Sequence, residues 1–237
     1  MNSVLLLRLF LDLVAAGLLV FGFSYWWLGN AAHEAAGTAM FLLIIVHNLF
    51  NRRFYDSLNL THRDVRSLFN IAVTLALMLA MLALLVTSVL ISNTLAPVMS
   101  AFGGFTVRHI HTLAAYWALV IVAAHLGLRW PMIMGVARNL AGITRPSEVR
   151  TWTLRLIAAA IAIHGVWSSF ALGLGTKLSM QVSLDWWNFE ESVAGFFVHC
   201  LAIAGLYIFL TYYAGKWLQR RKLGSRSIAS VAKNIHQ

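Results

Sequence analysis

The chain predicts an all-α, polytopic membrane protein with six transmembrane helices. Three observations carry that expectation. Of 237 residues, 60% are hydrophobic and only 11% charged, with a mean hydropathy of +0.76; no water-soluble domain of this size has such a composition. The apolar residues gather into six stretches, each near the roughly 20 residues that cross a bilayer. Lys and Arg gather between those stretches, where topology-setting charges belong.

The first span covers about residues 5–28. Arg8, an apolar run and Ala31-Ala32 imitate a secretory leader. The run from Leu9 to Leu28 exceeds the roughly 7–15 apolar residues of a leader, so it reads as a helix that stays. A short 29–32 turn leads to span two, about 31–50. Thr61-x-x-Asp64 has capping spacing ahead of span three, about 67–92. Pro97 with Gly103-Gly104 breaks the chain before span four, about 108–130. Pro131 and Pro146 bracket a connecting stretch, in which Met132, Ile133, Val136 and Leu140 would form one face of a short interfacial helix. Span five covers about 152–175. Asn188-x-x-Glu191 has capping spacing at the start of span six, about 189–215. These spans read as one domain, with a four-helix core over 1–135 and two added helices and a basic tail over 136–237.

All but two of the 18 Lys and Arg residues fall on one side of this six-span layout. The exceptions are Arg108 and Lys177. The positive-inside rule then puts both termini and the 51–66 and 131–151 loops in the cytoplasm. It places the 93–107 and 176–188 loops outside, in a bacterial cytoplasmic (inner) membrane. The net charge of +10 belongs to these loops and to lipid contact, not to nucleic acid. The single cysteine, Cys200, excludes a disulfide or a Cys-ligated cluster within the chain.

The chemistry lies in the histidines. His33 and His47 are fourteen positions apart, and so are His111 and His125. Fourteen helical residues advance roughly 21 Å and fall about 40° short of four full turns. Each pair therefore lies on one face, near opposite ends of its span. Spans two and four run in the same direction, which pairs His33 with His111 near the outer surface and His47 with His125 near the inner one. Imidazole is a common axial ligand of haem iron, so the pattern predicts two haems stacked across the bilayer. Without a C-x-x-C-H motif they would be b-type. His109 sits about 160° out of phase with His125 and is set aside.

Lone intramembrane histidines also serve as packing residues, and His164 and His199 are read that way, with contact to a quinone as the functional alternative. His62 and His236 fall in charged segments. Arg108 outside, and Arg52, Arg53 and Arg129 inside, are candidate partners of haem propionates. Gly37 and Ala115, one turn after His33 and His111, would leave room beside a flat macrocycle. Trp26, Trp27, Trp130, Trp152, Trp186 and Trp187 read as an interfacial belt. The apolar 178–189 segment, with Met180 and Phe189, would cover an outer site or dock a partner.

Ala32-His33-Glu34-Ala35-Ala36-Gly37, continuing to His47-Asn48-Leu49-Phe50-Asn51-Arg52, resembles the first haem-binding helix of a bacterial cytochrome b-like domain family associated with flavinylated extracytoplasmic proteins. Arg108-His109-Ile110-His111-Thr112-Leu113-Ala114-Ala115-Tyr116-Trp117, ending His125-Leu126-Gly127-Leu128-Arg129-Trp130, resembles its second. The wider resemblance is to di-haem cytochrome b subunits and ferric-reductase-like membrane domains, and it covers about residues 1–135. It implies His33, His47, His111 and His125 as haem ligands. It also implies electron exchange between a membrane quinone or quinol and a flavin-bearing or other redox protein outside. The chain has no soluble catalytic domain of its own, so it would act as an electron-transfer subunit. The competing readings are a proton or metal-ion transporter built on the same histidines, and a ferric-reductase-like subunit.

Overall fold

The computed structural model describes residues 3–52, 65–95, 104–181, 187–189 and 192–235, with side chains described as far as residue 220. It contains seven α-helices and no strand among these residues: α1 (Ser3–Gly22), α2 (Tyr25–Phe50), α3 (Val65–Ile91), α4 (Phe105–Leu140), α5 (Glu148–Ala171), the short α6 (Leu174–Leu178) and α7 (Val193–Ile235). All but α6 are long and apolar enough to cross a membrane. The chain is thus a multi-pass membrane protein, as its composition predicts.

Three boundaries differ from the expectation. The first span stops at Gly22, and the chain reverses at Phe23 and Ser24. A second break follows at Gly29, whose φ of 73° and ψ of −176° interrupt α2. Only glycine takes such a backbone without strain, so this residue sets where the regular part of α2 begins. The third difference is at Pro131. The expected separate interfacial helix is instead the continuation of α4, which runs through the proline to Leu140. Proline removes one backbone hydrogen bond, and long membrane helices absorb that loss. At 36 residues α4 is about 54 Å long, so its end projects beyond a hydrocarbon core of about 30 Å. The proposed boundary at residue 135 therefore falls inside a helix.

After Pro146, Ser147 caps α5 by accepting from the Arg150 backbone N–H. The proposed caps at Thr61-x-x-Asp64 and at Glu191, and the break at Pro97 and Gly103, lie outside the described residues.

The helices pack as α1 on α2, α3 on α4, α4 on α7 and α5 on α7. Two buried clusters hold them. Leu19, Met40, Met81, Leu84, Ala114 and Ala118 join α1 through α4. Tyr116, Leu119, Phe196, Cys200 and Ile203 join α4 to α7. Without a hydrophobic drive in lipid, close contact depends on small residues. A Cβ at Gly127 would lie 2.7 Å from the Ile208 carbonyl oxygen, and one at Gly165 would lie 2.3 Å from that of Ala202. Large apolar side chains cover the outside, among them Leu13, Leu79, Ile163 and Phe170, as lipid-facing surfaces require.

Candidate cofactor site

α2 and α4 carry the four paired histidines, yet they are not among the closely packed helix pairs. α2 leans on α1, and α4 on α3 and α7. The two histidine-bearing helices are thus spaced more widely than the pairs that pack directly, and they meet through side chains such as Met40 and Ala118. At Gly37, one turn past His33, an added Cβ would meet nothing within 4 Å.

At one end, the rings of His33 and His111 lie with centroids 5.9 Å apart and planes inclined at 70°. Two imidazoles on opposite sides of one metal ion, each bonded at about 2 Å, have centroids about 6 Å apart. The observed spacing suits that arrangement. His33 Nδ1 is 2.7 Å from the Gly22 carbonyl oxygen. A carbonyl only accepts, so Nδ1 carries the proton and Nε2 keeps its lone pair. His111 Nδ1 is 2.9 Å from Thr87 Oγ1. The Thr87 hydroxyl donates its one proton to the Ala83 carbonyl at 2.6 Å, so its oxygen accepts from His111 Nδ1–H. Again Nε2 is the lone-pair nitrogen.

At the other end, His47 and His125 line one cleft of about 190 Å³ together with Arg8, Asp12, Asn51 and Arg129. His47 Nδ1 donates to Asp12 Oδ1 at 2.5 Å. Asn51 donates to the His47 carbonyl at 2.9 Å and lies 3.4 Å from His47 Nε2. His125 Nδ1 and Arg8 Nε are buried without a hydrogen-bond partner, a costly condition in a low-dielectric interior. Arg8 also lies over the Phe50 ring at 5.2 Å.

The chain therefore treats three of its four paired histidines alike. It fixes Nδ1 with a backbone carbonyl, a hydroxyl or a carboxylate; Nε2 is left open at His33 and His111, and at His47 it accepts from the Asn51 amide at 3.4 Å. Such an outer partner is the usual companion of a metal-ligating histidine. Among the described residues no three His, Cys, Asp or Glu side chains converge as a site for a bare metal ion. Two imidazoles per level are too few for a structural zinc, which takes four ligands. They are the number needed by an iron whose remaining ligands come from a macrocycle. The donor set fits haem.

No family model, curated protein or solved structure matches this chain. The reading of the site rests on the residues themselves.

The other candidates fall as follows. His109 packs edge-on against Phe105 of its own helix. Arg108 is exposed at the start of α4 and its guanidinium makes no hydrogen bond or ion pair among the described residues. Arg129 lines the cleft. Arg52 is exposed, and Arg53, His62, Trp186 and His236 lie outside the described residues. His164 and His199, read separately in the sequence, stack on each other with centroids 5.6 Å apart. The end of the 178–189 segment covers the α1–α2 turn: Trp26 and Trp27 pack on Phe189, and Trp27 Nε1 donates to the Phe189 carbonyl.

Sequence reasoning passed over Asp12, Thr87, Gly22 and Arg8. Asp12 had a usable signal, because an acidic residue inside an apolar span is a functional candidate by default. Glu34, beside His33, has a structural task. It accepts from the Asn93 backbone at 2.8 Å and from Thr94 at 2.5 Å, clamping the start of α2 to the segment after α3.

Proposed function

We propose that this chain is a di-haem b-type cytochrome that carries electrons across the bacterial cytoplasmic membrane. His33 and His111 would hold an outer haem, and His47 and His125 an inner one. The observation that carries the reading is the shared treatment of the imidazoles: Nδ1 tethered at His33, His47 and His111, with the His33 and His111 rings at the separation of a bis-imidazole metal. When bound, each haem supplies a one-electron redox centre.

The chain's own residues do the rest. Gly22, Thr87 and Asp12 fix the tautomer and hold the rings against rotation. Arg8 and Arg129 place positive charge at the inner cleft, where anionic propionates would pair with guanidinium. The α1–α4 cluster around Met40, Leu84 and Ala118 excludes water between the two levels. With two histidines assigned to each haem, His33 with His111 and His47 with His125, no position would be left for a substrate, and the chemistry each haem would supply is electron transfer.

The basic loops orient the bundle with both termini in the cytoplasm. The electron partners are then a membrane quinone or quinol and a flavin-bearing or other redox protein outside, as the resemblance to the cytochrome b-like family implies. Single substitutions test the assignment by reduced-minus-oxidised spectra of purified protein. His33→Ala and His111→Ala should each abolish the same haem, and His47→Ala and His125→Ala the other. His109→Ala should abolish neither. If His109→Ala removes a haem and His111→Ala does not, the ligand assignment is wrong.

A further inference from the structure

A second cavity lies where α4 gives way to α5, and no histidine lines it. Its volume is about 390 Å³, and its lining includes Gly135, Arg138, Asn139, Thr144, Arg145 and Arg150. That volume falls within the roughly 300–1,000 Å³ of small-molecule pockets. The proposed electron carrier makes no use of it.

Backbone contacts build the walls. At the end of α4, Gly142 takes a φ of 63°. Its N–H donates to the Asn139 carbonyl at 3.2 Å, and the Ile143 N–H donates to the Arg138 carbonyl at 2.9 Å. This paired closure fixes the direction in which the chain leaves the helix. Arg150 Nη2 then donates to the Arg145 carbonyl at 2.9 Å, which ties the first turn of α5 to the connecting loop. On the α4 side, a Cβ added at Gly135 would meet nothing within 4 Å.

Three arginines share this cavity, and none of them meets a carboxylate among the described residues. Arg138 Nε donates to the Met134 carbonyl of its own helix at 3.3 Å. Glu148, the acidic residue nearest in the chain, is exposed and does not line the cavity. Like charges gathered in one place repel, and an anion held among them offsets that cost. Each guanidinium carries five N–H donors, more than these contacts use. The Asn139 amide and the Thr144 hydroxyl add neutral donors to the lining. The N-terminal end of α5 begins here as well, and its dipole favours negative charge.

We infer that the cavity binds a phosphate group, carried by an anionic phospholipid. The donor set selects the phosphate. Guanidinium forks match its oxygens in pairs, and several donors around one space suit an anion with several oxygens. The neighbouring surface selects the lipid. Leu140 follows Asn139, Val149 precedes Arg150, and Trp152 lies two residues beyond, and all three are exposed. Apolar side chains beside the arginines give acyl chains a surface next to the headgroup. Inorganic phosphate shares the anionic chemistry but has no use for that surface. The inference does not depend on haem.

The experiment is isothermal titration of the full chain, in a neutral detergent, with three probes: dioctanoyl phosphatidylglycerol, dioctanoyl phosphatidylcholine and inorganic phosphate. The wild type should bind the anionic lipid saturably and more tightly than either other probe. Arg145→Gln should weaken that binding about tenfold, as for the loss of a charged hydrogen bond, and leaves the carbonyl that holds Arg150 in place. Gly135→Leu should weaken it too, because it fills the cavity and keeps every charge. Arg220→Gln, which removes a charge outside the cavity, should leave it unchanged. Equal losses in Arg145→Gln and Arg220→Gln would mean diffuse attraction to a basic protein and overturn the site. Wild-type affinity in both Arg145→Gln and Gly135→Leu would overturn it as well. Arg145-dependent binding of inorganic phosphate, with no preference for the anionic lipid, would keep the phosphate site and overturn the lipid as its ligand.

Discussion

The imidazole tautomers are set by three unlike groups, and the two side chains among them can be tested by substitution. Thr87 is the acceptor for His111 Nδ1–H because its proton is committed to Ala83. Thr87→Val keeps the shape and removes that acceptor. Haem affinity at the His33–His111 level should fall about 10- to 100-fold, the usual cost of losing such an outer partner. Thr87→Ser should restore it. Asp12→Asn should have a similar effect at the His47–His125 level. It should also raise the midpoint potential of a haem held there, because the carboxylate on His47 would stabilise the more positive, oxidised iron. Haem retention through gel filtration and a potentiometric titration read the two effects. Unchanged retention in both variants would mean that these contacts do not support ligands. The histidines themselves were legible in the sequence because their spacing is an intrahelical property. Their supports were not, since Gly22, Asp12 and Thr87 come from α1 and α3 and meet α2 and α4 only in the tertiary fold.

Among the elements, the helix pairs divide into two kinds. α4–α7 and α5–α7 close onto glycine, at Gly127, Gly165 and Gly205, whereas α2 and α4 stay apart. Close-packed and more widely spaced helix pairs thus coexist in one bundle. Gly165→Val should overpack α5 against α7 and cost about 1–3 kcal/mol, seen as a lower midpoint in a thermal unfolding scan. Gly215→Ala, where an added Cβ meets nothing within 4 Å, should leave the midpoint unchanged or slightly raised. Equal midpoints for Gly165→Val and the wild type would mean that α5 and α7 do not meet as described. Hydropathy located all six spans, but not their ends at Gly22 and Pro131. Gly22 ends a helix within an unbroken apolar run, so hydropathy had no contrast to detect. At Pro131 the local rule predicts a break, and the helix continues because its backbone can absorb one missing hydrogen bond.

At the scale of the whole molecule, the bundle stacks two histidine levels between α2 and α4, and α7, itself packed on α5, packs against α4. The fourteen-residue spacing within each histidine pair anticipated the levels. The meeting of His164 with His199 could not be anticipated, because it depends on how α5 slides along α7. The central question is whether α2 and α4 together hold two irons, each with two imidazoles. Haem content and low-temperature electron paramagnetic resonance of the oxidised, purified protein test this most directly. Two haems per chain are expected, both low-spin, with one low-spin signal lost in His47→Ala. Protein that is folded and haem-free, or that binds a single haem insensitive to His47→Ala, would contradict it.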